Sequence, residues 1–329
     1  MARNLITDIP GIRVGHAGDV KLGSGVTAVI FDSPVVGSVD VRGGGPGTRE
    51  TALLDTALTV EGIDAFVLSG GSAFGLDAPS GVQALMRELG RGFKIRDAVV
   101  PIVPGAIMFD LLNGGDKNWG RYPPYREFAY EAAKSAGTDF ALGSVGGGLG
   151  ATTANLKGGV GSASAVARNG ITIGALVVVN AVGTTVIGDG PHFWAAPFEV
   201  NKEFGGRGWP AQITEADLAI RAKGGPAEST TIALIATDAK LSKAQCNRLA
   251  VMAQDGLARA IYPVHTPLDG DVMFSASTGA KPLSDPFHGL AELGMIAANV
   301  MARAIARAVY EAKALPFSNA LPCWRDRFA

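Results

Sequence analysis

"GSASAVARNGITIGALVVVN", residues 161–180, holds two runs of small and β-branched residues separated by Arg168-Asn169-Gly170. Such runs broken by Asn-Gly read as two strands joined by a tight hairpin, because a two-residue type I′ turn needs positive φ at both positions, which Asn and Gly tolerate. Part of the sheet is therefore antiparallel, which argues against a doubly wound parallel fold. Outward from this hairpin, strands are expected at 25–32, 36–42, 64–70, 99–104, 230–238 and 271–278. Helices are expected over 80–89, 125–137, 242–261 and 289–314. The third opens with Ser242 and Gln245 at capping-box spacing. The fourth carries Leu293, Ile296, Val300, Ile305 and Val309 near a helical period and should pack on a sheet face. The element order is mixed, and this many apolar strands suit an α+β class: one domain, residues 1–329, built as a four-layer αββα sandwich. Residues 314–329 contain two prolines and no periodicity, so they are expected to form an extended arm or a partner-contacting segment.

The chain is 47% hydrophobic with a net charge of −1, and no Lys/Arg-rich run concentrates the positive field that a nucleic-acid or membrane-surface partner requires. A small molecule or a peptide is the better-matched partner. Cys246 and Cys323 are the two cysteines, too few for a disulfide framework or a four-thiolate zinc site, and a cytoplasmic location is expected. No continuous apolar run of the length a membrane span needs stands out. The 45 glycines cluster at the ends of apolar strands, as in "RGGGPGT", "LSGGSAFG" and "GSVGGGLGA", where backbone must turn tightly or approach something closely.

None of these clusters matches a phosphate-binding loop or a dinucleotide fingerprint. His16, His192, His265 and His288 lack metal-ligand spacing, and "LSGGSAFG" misses the spacing of a nucleophile elbow, so no metal or organic cofactor is expected. His265 reads as a loop histidine packing locally. Without histidine as base, a hydroxyl can be activated by an α-amine, which titrates near 7.7–8.0 and accepts a proton at neutral pH. "GPAESTTIALIATD", residues 225–238, offers such a site if the chain breaks before Thr230. There the Thr230 hydroxyl would attack the Ser229 carbonyl, the peptide would shift to an ester, and water would release two chains.

Several collinear blocks then carry a resemblance: "GIRVGHA", "VDVRGGGPGTRETALLD", "FVLSGGSAFGLDA", "VPGAIMFDL", "ALVVVNAVG", "ESTTIALIATDAKLSKAQCNRLA" and "HTPLDGDVMFS". Over roughly residues 5–313 the chain resembles the DmpA-type aminopeptidases, together with the β-peptidyl aminopeptidases and endo-type nylon-oligomer hydrolases. The resemblance implies self-cleavage between Ser229 and Thr230 into chains 1–229 and 230–329, with Thr230 as the N-terminal nucleophile, on the αββα fold shared with ornithine acetyltransferases. It implies that Asn180 helps hold the oxyanion and that either Lys157 or Asn155 assists the nucleophile. Asp269 and Asp271 of "PLDGD" are implied to orient the amine of Thr230 or of the substrate. Arg42, Gly44, Gly45, Ser72 and Phe74 are implied to line the pocket. An assembly of four or eight copies is implied as well. Two departures accompany it. Ser229 stands where the family carries Asn or Gly, which disfavours a left-handed backbone by about 1–2 kcal/mol if one is needed. The "ATML" run of the acetyltransferases is missing. The competing readings are cleavage one residue earlier with Ser229 as nucleophile, an acyl transferase, and an uncut scaffold or binding protein.

Overall fold

A computed structural model describes residues 3–223 and 229–329. It opens with two antiparallel strands, β1 (Ile12–Asp19) and the long β2 (Ser24–Val41), followed by the short β3 (Thr48–Arg49) and β4 (Gly62–Ser69). Helix α1 (Ala78–Glu88), an outlying hairpin of β5 (Phe93–Ile95) and β6 (Ala98–Val100), β7 (Gly105–Ile107) and α2 (Tyr125–Lys134) complete the first half. The second half runs through β8 (Gly159–Val166), β9 (Thr172–Asn180), β10 (Thr230–Ala239), α3 (Lys243–Ala253), α4 (Asp255–Ala258), β11 (Val272–Lys281), α5 (His288–Tyr310) and α6 (Trp324–Phe328). Strand order is β3-β7-β4-β2-β11-β10-β9-β8, with β1 also on β2. The β4–β7 and β10–β11 pairs are parallel and the others antiparallel.

β2 turns this single hydrogen-bonded sheet into two layers. Its first part pairs with β1 and β4, while residues 36–41 pair with β11, and the register shifts between Ile30 and Val35. Alternation then sorts the side chains into three cores. Val29, Phe31, Phe66 and Leu68 meet Val178, Ile232, Leu234 and Phe274 between the layers, where Phe66 stacks on Phe274 at 4.7 Å. Val26, Ala28, Ala65 and Val67 face the other way, onto α1 and α2. Val177, Ala233, Ile235 and Met273 face α3 and α5. This is the αββα sandwich that the strand inventory predicts.

Local departures have local causes. Pro34 suggests a break between two strands, yet residues 25–32 and 36–42 belong mostly to the one strand β2, which absorbs the proline at its exposed bend. Of residues 99–104 only 99 and 100 are in a strand, because Pro101 and Pro104 interrupt the ladder. The hairpin between β8 and β9 forms, but Gly170 alone has positive φ (81°), and Gly170 N–H donates to Ala167 O while Ala167 N–H donates to Ile171 O. The connection is thus a three-residue loop ending in a left-handed glycine, not a type I′ turn. The Ser242–Gln245 capping box is present.

Helix α5 is long and apolar enough to cross a membrane by those two criteria, contrary to the expectation that no segment is; its apolar face is instead packed on β8, β9 and α3. The tail is not a free arm. It runs irregularly to Cys323 and ends in α6, whose Trp324 is buried against Phe193 and Tyr310 and donates its indole N–H to Pro191 O. Large aromatic area buried at a chain end pins it to the body.

Candidate active site

The site lies where β9 ends and β10 begins. Antiparallel pairing sets Thr230 opposite Asn180, and parallel pairing sets Ser229 beside Asp269. Even-numbered positions on β9 and β10 face the space between the sheet layers, as Val178, Ile232 and Leu234 do, so Asn180 and Thr230 share that face. Residues 224–228, the Gly-Pro part of the loop before Ser229, lie outside the described residues.

The Ser229–Thr230 peptide is held at its carbonyl. Gly270 N–H donates to Ser229 O at 2.9 Å, and the Thr230 hydroxyl donates to the same oxygen at 2.6 Å. Both residues are buried, at 2% and 4% exposure, which shelters the peptide from bulk water. A Cβ on Gly270 would stand 2.7 Å from Thr230 Oγ1 and 2.7 Å from Gly45 O, so close approach demands glycine there. Gly43 and Gly45 in turn donate to Asp271 O and Asp269 O, zipping the glycine-rich loop after β2 onto the same turn. Ser229 forms an isolated parallel bridge with Asp269.

Asn180 is oriented by its partners. Its Oδ1 accepts from Thr152 N–H (3.0 Å) and Lys223 Nζ (2.8 Å), and its Nδ2 donates to Phe109 O (3.0 Å). Two cationic or amide donors on one atom fix which end of the amide is oxygen. Lys157 is buried, and its Nζ donates to the carbonyls of Gly148, Ala151 and Gly158 at 2.7–3.1 Å. Three acceptors match the three hydrogens of an ammonium, while burial, aided by nearby Lys223 and opposed by Asp110, pulls its pKa down to about 7. Lys157 thereby braces the loop carrying Thr152 and, through it, Asn180. Asn155 has both side-chain polar atoms buried with no hydrogen-bond partner among the described residues.

The two aspartates hold backbone. Asp271 accepts from Thr231 N–H (2.8 Å) and from His265 through both its backbone N–H and Nδ1 (2.8 Å for the ring). Asp269 accepts from Thr266 and from Val182 N–H, and its pKa is raised by burial and by the neighbouring Asp271 charge. Asp271 thus ties the start of β10, and Asp269 the segment after β9, to the loop before β11. His265, expected only to pack locally, is a partner in this tie.

A cavity of about 200 Å³ adjoins Asn180 through Phe109, Thr152 and Lys223, with Asp110, Lys157 and Leu321 also in its walls. Arg42, Gly44, Gly45, Ser72, Phe74 and Asn155 do not line it. Arg42 is exposed and paired with Asp40; Phe74 is half exposed against Trp119. Asp110, which no motif in the sequence singles out, accepts from Ser24 Oγ and Gly71 N–H, and burial pushes its pKa up to about 6. Among the described residues no cluster of His, Cys, Asp and Glu suited to a metal occurs.

The buried lysine has a measurable signature. Because its folded pKa (about 7) lies below the ordinary value of 10.5, the unfolded chain alone carries that proton between these pH values. Its contribution to stability therefore rises with pH from about 7 to 10.5 and is lowest below 7. Denaturant midpoints of Lys157→Met are expected to lose that rise relative to the unsubstituted chain; an unchanged slope would show that Lys157 titrates normally.

Two solved structures share the fold: a Burkholderia β-aminopeptidase (TM-score 0.73, 24% identity, 99% of this chain and 93% of that chain) and the L-aminopeptidase D-Ala-esterase/amidase of Ochrobactrum anthropi (TM-score 0.73, 22% identity, 98% and 92%), the latter described as a variant of the Ntn hydrolase fold. The model of peptidase family S58 matches residues 4–320, and the chain belongs to that family. An uncharacterized aminopeptidase of Mycobacterium tuberculosis is 44% identical over 99% of this chain and 98% of its own length. A 6-aminohexanoate-oligomer endohydrolase of Kocuria is 28% identical over 82% of this chain and 74% of its own. The protein is accordingly a peptidase of family S58, on a fold it shares with an aminopeptidase described as an Ntn-hydrolase variant.

Proposed function

We propose that the chain cuts itself between Ser229 and Thr230, and that the freed Thr230 is the nucleophile of an aminopeptidase acting on short peptides or amides. The observation that carries this is the double hold on the Ser229 carbonyl, by Gly270 N–H and by the hydroxyl that would attack it. In the cut, Thr230 Oγ1 adds to the Ser229 carbonyl carbon and negative charge develops on an oxygen already facing an N–H donor. The Thr230 nitrogen takes a proton as it leaves, giving an ester, and water then cleaves the ester to a Ser229 carboxylate and a free Thr230 amine and hydroxyl.

In turnover that amine takes the hydroxyl proton as Oγ1 attacks the substrate carbonyl, and returns it to the departing amine; water hydrolyses the acyl ester. Asn180 stands on the same face, an amide donor for the oxyanion whose orientation Thr152 and Lys223 set. Similarity to an aminopeptidase and to a 6-aminohexanoate-oligomer endohydrolase agrees with this chemistry. Intact mass spectrometry of the denatured protein is expected to give two fragments summing to the precursor plus one water, the shorter being residues 230–329 at about 10 kDa. A single uncut mass after long incubation would overturn the proposal and favour an uncut scaffold.

A further inference from the structure

The cavity beside Asn180 is lined in part by the C-terminal segment: Leu315, Asn319, Ala320 and Leu321 line it together with Asp110 and Lys157. This segment is tied at both ends. Ser144 Oγ and Lys313 exchange hydrogen bonds before it, and after it Pro322 O accepts Lys157 N–H and Trp324 docks in its aromatic pocket. Between these ties the described backbone hydrogen bond is its own turn, Ala320 N–H to Phe317 O, while Phe317 leans on Gly23 and Gly114. The side chains of Ala320 and Leu321 are partly exposed toward the cavity and belong to none of the three hydrophobic cores.

We infer that residues 315–321 are a specificity-determining wall: they bound the pocket that receives the substrate residue whose carbonyl Thr230 attacks, and limit it to one residue of modest size. The inference rests on the reading of Thr230 as nucleophile. A volume of about 200 Å³ is on the scale of the ~150 Å³ cavities that hold one benzene ring, far below the ~300–1,000 Å³ of drug-sized sites. One amino-terminal residue is of a size to fill it. Because the wall belongs to no core, its side chains can change volume without removing the contacts that hold the fold.

The test is a size swap read on a series of aminoacyl 4-nitroanilides, from glycyl and alanyl to leucyl and phenylalanyl. Ala320→Leu, which narrows the pocket, is expected to raise KM for the leucyl and phenylalanyl members at least tenfold, with the glycyl member within twofold. Leu321→Ala, which widens it, is expected to shift kcat/KM toward the larger members by a similar factor. The extent of self-cleavage, measured by mass on each variant, is expected to match that of the unsubstituted chain. If both variants cut and turn over with an unaltered order of preference, the wall does not set specificity and the inference falls while the nucleophile reading stands. If the cut protein hydrolyses no member of the series, the aminopeptidase reading falls and takes the inference with it.

Discussion

Thr230→Ala is expected to yield one uncut chain of 329 residues whose amide hydrolysis is reduced at least ~10³-fold, the scale on which removing a nucleophile acts. The substitution deletes the atom that must add to the Ser229 carbonyl and, after the cut, to the substrate. It leaves the fold in place, because Thr230 contributes to stability through its strand pairing with Asn180, which is backbone, and through one hydroxyl bond worth about 1 kcal/mol. Three companion variants separate chemistry from packing. Thr230→Ser keeps an oxygen at the same place and is expected to cut and turn over. Ser229→Ala removes the other candidate nucleophile and is expected to cut as before, since its hydroxyl has no part in the attack. Thr231→Ala removes a hydroxyl on the opposite strand face, buried without a partner, and is expected to change neither fragment masses nor rate. Fragments from Thr230→Ala at the same position would show that another group makes the cut.

The layers of this fold are readable because strands and helices with one buried face write their period into the sequence. Val26, Ala28 and Ile30 against Val29 and Phe31 is one strand serving two cores, an alternation that the order of residues alone displays. The single bent strand through Pro34 is not readable in this way, since a proline at an exposed bend and a proline ending a strand look alike in a sequence. Within the site, Thr230, Asn180, Lys157, Asp269 and Asp271 come together, but their named roles come from resemblance, and the geometry of the uncut chain redistributes them. The aspartates spend their oxygens on Thr231, His265, Thr266 and Val182, and Lys157 spends its hydrogens on three carbonyls. Gly270, Lys223 and His265 escape a reading of the sequence for two reasons. Gly270 acts through a backbone N–H, which every residue but proline has, and Lys223 and His265 act through contacts with residues 43 positions and 6 positions away. "LDGD" announces a turn; nothing in it says that the turn's amide points at the Ser229 carbonyl.

That amide sets up the second large effect. Gly270→Ala is expected to leave a folded protein that cuts itself roughly 10²–10³-fold more slowly, the cost of displacing one preorganised oxyanion donor. The new Cβ would meet Thr230 Oγ1 and Gly45 O at 2.7 Å, nearer than nonbonded atoms tolerate, so either the turn carrying the N–H or the hydroxyl must move, and each motion breaks the geometry at the Ser229 carbonyl. Some destabilisation accompanies it, because the Gly45 carbonyl is backbone and yields little. A double-mutant cycle apportions the two effects. If the clash with the hydroxyl matters, Gly270→Ala costs less stability in the Thr230→Ala background than alone, and the shortfall measures the contact between these two positions. If the stability costs simply add while cutting is still slowed, displacement of the N–H alone accounts for the loss. A Gly270→Ala protein that is folded by circular dichroism and cuts at the original rate would show that the Ser229 oxygen needs no donor from this turn, and the oxyanion of the self-cleavage step would have to be held from the Asn180 side.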